Sequence, residues 1–140
     1  GNPTYLATTL TGTPVLAAIL DEWRKGASLG GCSAGAMAIG GYVPNLRHPR
    51  SGGTDGFGVV PGIRVLPHFD RFSGWIPGFA AHLLTGEGYD VVGIDEDTAL
   101  VAEAGESDTW TFRTTGRQRA WVVEPGGHRQ VAELTLRVSS

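Results

Sequence analysis

The sequence predicts an α/β fold: a partial parallel sheet with flanking helices, followed by a C-terminal antiparallel β-meander. Three observations carry the prediction. Two short runs, Ile63-Arg64-Val65-Leu66 and Val91-Val92-Gly93-Ile94, are mostly apolar without alternation, as strands buried on both faces are. Apolar residues at helical spacing lie before and between them. From residue 99 onward, short β-branched and aromatic runs end in a strict alternation, with Ala132, Leu134, Leu136 and Val138 opposed to Glu133, Thr135 and Arg137.

The 140 residues read as one domain, 1–140, with no repeat. Apolar residues make up 41%, enough for a packed core and too many for a disordered chain. A net charge of −3 leaves no basic stripe, so nucleic acid is not an expected partner. No apolar run is long enough to span a bilayer, and no basic n-region opens the chain. The single cysteine forms no internal disulfide, so a cytoplasmic setting is expected. The only methionine is Met37, so the chain reads as processed, cut, or part of a longer product.

Taken in order, Gly1-Asn2-Pro3-Thr4 reads as a turn. Thr13-Pro14 reads as an N-cap followed by proline at the first helical position. Leu16, Ile19, Leu20 and Trp23 form one helix face, and Gly26 closes the helix. A short strand over Ala27-Ser28-Leu29 follows, then a glycine-rich turn and a small-residue helix to Ile39, ended by Gly40-Gly41. Residues 44–58 read as a loop, long enough to be functional. The strand ending at Leu66 leads into Pro67-His68-Phe69-Asp70-Arg71. Phe72, Ile76, Phe79, Ala80, Leu83 and Leu84 mark a helix face bent near Pro77-Gly78. Asp95-Glu96-Asp97 turns out of the strand before it. Runs at Ala99 to Glu103, Thr109 to Thr114 and Ala120 to Val123 read as successive antiparallel strands.

The chemistry centres on Gly30-Gly31-Cys32-Ser33-Ala34-Gly35-Ala36. It contains Gly31-x-Ser33-x-Gly35, the nucleophile-elbow pattern, between a strand and a helix. Ser33 is the candidate nucleophile. Glycines around it relieve clashes in a strained turn, and the helix after it aims free N–H groups at a developing oxyanion. A serine hydroxyl needs an imidazole to take its proton, and His68, at the end of the next strand, is the candidate base. His48, His82 and His128 read as surface residues. For an acid to orient His68, Asp55 is the first choice, with Asp70, Asp95 and Glu96 as alternatives. Cys32 sits one position early for a thiol elbow and reads as a small packed residue. No metal-ligand spacing is present.

Several segments together resemble the dipeptidase E and cyanophycinase family of serine peptidases. They are Gly1-Asn2-Pro3, the elbow, Gly58-Val59-Val60-Pro61-Gly62 running to Pro67-His68-Phe69, and Gly93-Ile94-Asp95-Glu96-Asp97-Thr98-Ala99-Leu100-Val101, in that order. The resemblance implies a class I glutamine-amidotransferase-like fold. It also implies hydrolysis of peptide or isopeptide bonds beside aspartate in small peptides, by a Ser–His–acid mechanism without cofactors. It carries the nucleophile to Ser33 and the base to His68. The Ala34 N–H becomes one oxyanion donor and the Gly1-Asn2 turn the other. Arg71 becomes a contact for a substrate carboxylate, with Asn2 beside it.

Two departures from the family pattern shape the expectations. The stretch where the family places its acid is Asn45-Leu46-Arg47-His48-Pro49-Arg50-Ser51, without a carboxylate. Either Asp55 substitutes or a Ser–His dyad suffices. The family also carries strands and helices before the Gly-Asn-Pro turn. An open sheet edge and an apolar helix face then invite association, as a homo-oligomer or with a missing N-terminal segment. The expected function is therefore a serine peptidase. The alternative is an inactive or weak relative that binds or assembles; a third reading is an esterase or acyl-transfer enzyme using the same pair.

Overall fold

The computed structural model describes residues 1–72 and 88–138 and is α/β. Helix α1 (Pro3–Leu10) opens the chain where the sequence reads a turn. Asn2 is its N-cap and accepts the Tyr5 N–H at 3.0 Å, with Pro3 pre-set for the first turn. Helix α2 (Pro14–Arg24) uses the same device: Thr13 accepts the Leu16 N–H at 3.3 Å. Each such cap is worth about 1 kcal/mol. On α2 Leu16 is buried, but Val15 and Ile19 are 59% and 42% exposed, so much of its apolar surface faces outward.

Residues 27–32 carry no ladder, against the short strand expected over Ala27-Ser28-Leu29. The Ala27 N–H is spent on Glu22 of α2. Beyond it, no described strand pairs with the segment, and a strand exists only with a partner. Helix α3 (Ala34–Ile39) follows the elbow and is largely buried. The stretch read as loop holds the second strand of a small hairpin, β1 (Tyr42–Val43) with β2 (Thr54–Asp55), joined through a 3-10 turn at Pro49–Ser51.

Strands β3 (Ile63–Pro67) and β4 (Asp90–Ile94) are parallel, in the register Val65 to Val92 and Pro67 to Ile94. Helix α4 (Phe69–Phe72) leaves the end of β3. The rest of the helix face read between Phe72 and Leu84, with His82, lies outside the described residues. Strands β5 (Thr98–Val101), β6 (Thr109–Gly116) and β9 (Glu133–Arg137) form one antiparallel sheet. The run is not a single meander. Strand β7 (Ala120–Glu124) returns to pair with β4, and β8 (Gly127–Val131) pairs with β7, giving the order β3-β4-β7-β8. Asp95 fixes that crossing: its carboxylate accepts the Arg119 N–H at 3.2 Å and the Trp121 indole N–H at 2.9 Å.

The two sheets bury a core between them of Val60, Ile63, Val65, Val92, Phe112 and Leu136. The opposite face of the mixed sheet packs Leu66, Val91 and Val123 under Phe69, the first residue of α4. Among the described residues, no helix is long and apolar enough to cross a membrane.

Candidate active site

Three non-glycine residues among those described adopt left-handed φ: Ser33 at 55°, His68 at 53° and Asp97 at 55°. Such strain costs on the order of 1–3 kcal/mol per residue and persists only where its surroundings impose it. At Ser33 the strain accompanies the reversal of the chain into α3, with ψ at −113°. Gly31 makes the reversal possible, because a Cβ there would lie 2.5 Å from the Gly35 carbonyl carbon. A Cβ at Gly35 meets nothing within 4 Å, so of the two elbow glycines the tight approach demands Gly31.

Ser33 Oγ lies 2.9 Å from His68 Nε2. On the other side of the ring, His68 Nδ1 lies 3.0 Å from Glu96 Oε1. An ionised carboxylate only accepts, so Nδ1 carries the ring proton; Nε2 is then the acceptor for the Ser33 hydroxyl. Arg71 Nε stands 3.1 Å from the same oxygen of Glu96. The donated His68 hydrogen bond first, and the Arg71 guanidinium second, hold the Glu96 carboxyl below its ordinary range. The ring of Phe72 meets that of His68 edge-on at 6.4 Å.

The sheet explains why these groups meet. Strands β3 and β4 are neighbours in parallel register, so His68 and Glu96 leave adjacent carboxyl ends. Phe69, 2% exposed, anchors the neighbouring His68 by lying over Gly93 of β4 against Trp121 and His128.

The carboxylate beside His68 is not the one the sequence favours. Asp55 is on β2, exposed and paired with Tyr42, and the carboxylate at His68 belongs to Glu96. The strand-end rule that selects His68 also points to Asp95-Glu96 just past β4, and of these Asp95 is spent on Arg119 and Trp121 while Glu96 meets the ring. Asp55 is favoured by the sequence because it lies in the loop between Ser33 and His68.

Gly1 lies beside the elbow, where a Cβ on it would stand 3.6 Å from Ala34 Cβ. The Ala34 N–H heads α3 and so has no acceptor within the helix. The Asn2 side chain is occupied in capping α1. The Arg71 side chain remains 69% exposed while touching Glu96, which leaves it reachable from solvent. Cys32 is exposed rather than packed. His48 and His128 are both exposed, and His128 also lies edge-on to Phe69 and Trp121. Among the described residues, no group of three His, Cys, Asp or Glu side chains is placed to hold a metal ion. The arrangement can pass a proton from a serine hydroxyl to an imidazole whose far side faces a carboxylate.

The sequence profile of peptidase family S51 matches residues 1–109. Comparison with curated proteins finds no significant match. The crystal structure of a peptidase from an acI-B1 Actinobacterium superposes with a TM-score of 0.77 at 39% identity. That match covers 98% of this chain and 56% of the other, so this chain spans little more than half of that protein's length. With these likenesses, the chain belongs to peptidase family S51, the dipeptidase E and cyanophycinase family.

Proposed function

We propose that this chain carries the active site of a serine peptidase acting on small, aspartate-containing peptides. The observation that supports it most is the continuous contact from Ser33 Oγ through both His68 nitrogens to Glu96. In the first step, His68 Nε2 takes the Ser33 proton as Oγ attacks the scissile carbonyl carbon. The Ala34 N–H, with the Gly1 backbone beside it, stabilises the oxyanion. The imidazolium then gives its proton to the leaving amine as the C–N bond breaks. Water, deprotonated by the same nitrogen, releases the acyl group and restores the hydroxyl. Throughout, Glu96 holds the ring tautomer and offsets the imidazolium charge.

Arg71 is the group suited to meet an acidic substrate side chain, being exposed and close to the ring. A rival reading is a hydrolytically silent binding or assembly protein. The lack of an evident acid and the short start favour it; the contact of Glu96 with His68 weighs against it.

Asp-X dipeptides run against simple esters test the proposal. Release of free aspartate, lost in Ser33→Ala, is expected. Ester turnover with intact dipeptides overturns the peptidase assignment in favour of an esterase.

A further inference from the structure

Glu96 is held in place from a second direction. Its side chain meets His68 and Arg71, while its backbone N–H donates to Asp70 Oδ1 at 2.8 Å. All three partners come from one short stretch, the end of β3 and the start of α4. The other Asp70 oxygen, Oδ2, accepts from the Gln118 side-chain amide at 3.4 Å. Gln118 in turn donates its backbone N–H to Thr98 Oγ1 at 2.9 Å, and that hydroxyl donates to the Glu96 carbonyl at 3.1 Å. A closed ring of contacts therefore joins α4, the turn after β4 and the turn between β6 and β7. Such a ring is needed because Glu96 lies on a turn, next to the left-handed Asp97, where no ladder fixes its direction.

The sign of the charge at Asp70 separates two explanations. A carboxylate beside Glu96 opposes ionisation of Glu96, so Asp70 is poorly chosen as an electrostatic partner. As a hydrogen-bond acceptor for the Glu96 N–H it is well chosen. We infer that Asp70 is a positioning residue for the hydrolytic reaction, acting through Glu96 by fixing the turn that aims the carboxylate at His68 Nδ1. The inference rests on the serine-peptidase reading. The plain alternative is that Asp70, in the first turn of α4, only stabilises that helix end.

The test is the rate at which a fluorophosphonate probe labels the full chain, resolved into kinact and KI. Misplacing a group by about 1 Å costs up to roughly 100-fold. Asp70→Ala is expected to lower kinact about 10- to 100-fold with KI unchanged. Asp70→Asn, which keeps an acceptor oxygen, is expected to recover most of the rate. In a Glu96→Gln background, Asp70→Ala is expected to slow labelling no further, a result that loss of a helix end alone does not produce. A kinact within twofold of the parent, an Asn variant as slow as Ala, or a full additional loss in the Gln background overturns the inference. Where the Ala variant does not fold, Asp70→Glu takes its place: it moves the acceptor by one methylene, and an unchanged rate overturns the inference. Labelling that survives Ser33→Ala overturns the serine reading and this inference with it. Labelling that needs Ser33 but ignores Asp70 overturns this inference alone.

Discussion

At Glu96 one carboxylate oxygen serves two donors, His68 Nδ1 at 3.0 Å and Arg71 Nε at 3.1 Å. Both favour the ionised form, so the carboxyl titrates below its ordinary value. A depressed carboxylate contributes stability above its usual pKa and loses it as pH falls through the lowered value. Glu96→Gln has no such contribution to lose. Thermal melts on acidification below the ordinary carboxylate range are therefore expected to fall more steeply for the parent chain than for Glu96→Gln. At neutral pH the same substitution is expected to lower kcat, by up to about 10⁴-fold if Glu96 matters as the orienting acid does in the best-known triad. Equal melting profiles and an unchanged kcat would show that the contact is incidental. At this scale Ser33 and His68 were legible, because an elbow motif and a strand-end histidine each have a local signature. Glu96 was legible only as one of several acids. Choosing it required the register of β3 against β4, which a sequence does not print.

Among the elements, the strand pair β3–β4 and the short α4 do most to place the site. Phe69 sits over Gly93, so the helix that starts just after His68 is seated directly on the strand that leads to Glu96. Adding a methyl group at Gly93 drives a Cβ into that ring. Overpacking of this kind costs typically 1–3 kcal/mol. Gly93→Ala is therefore expected to lower the melting temperature and to slow hydrolysis beyond the loss of folded protein, since the displaced Phe69 adjoins His68. A variant with normal melting and normal kcat would argue against this seating. The caps were readable at this scale, but unevenly. Thr13-Pro14 and Asn2-Pro3 are the same device, yet only the first precedes a visible apolar stripe. The segment Ala27-Ser28-Leu29 misled in the opposite way: its composition suits a strand, and whether it forms one depends on a neighbour the segment cannot specify.

For the molecule as a whole, the α/β class followed from buried apolar runs and the terminal alternation, and the family from the order of four short segments. The exchange of β7 into the mixed sheet was not legible. It depends on Asp95 bonding across to Arg119 and Trp121, a contact between residues far apart in sequence. The central claim is that the strained Ser33 is a nucleophile activated by His68. The most direct measurement is the site of covalent modification by a fluorophosphonate, read by peptide mass spectrometry. The account predicts one adduct, on Ser33, that disappears in Ser33→Ala and falls steeply in His68→Ala. An adduct on any other residue, or none on folded protein, would contradict it.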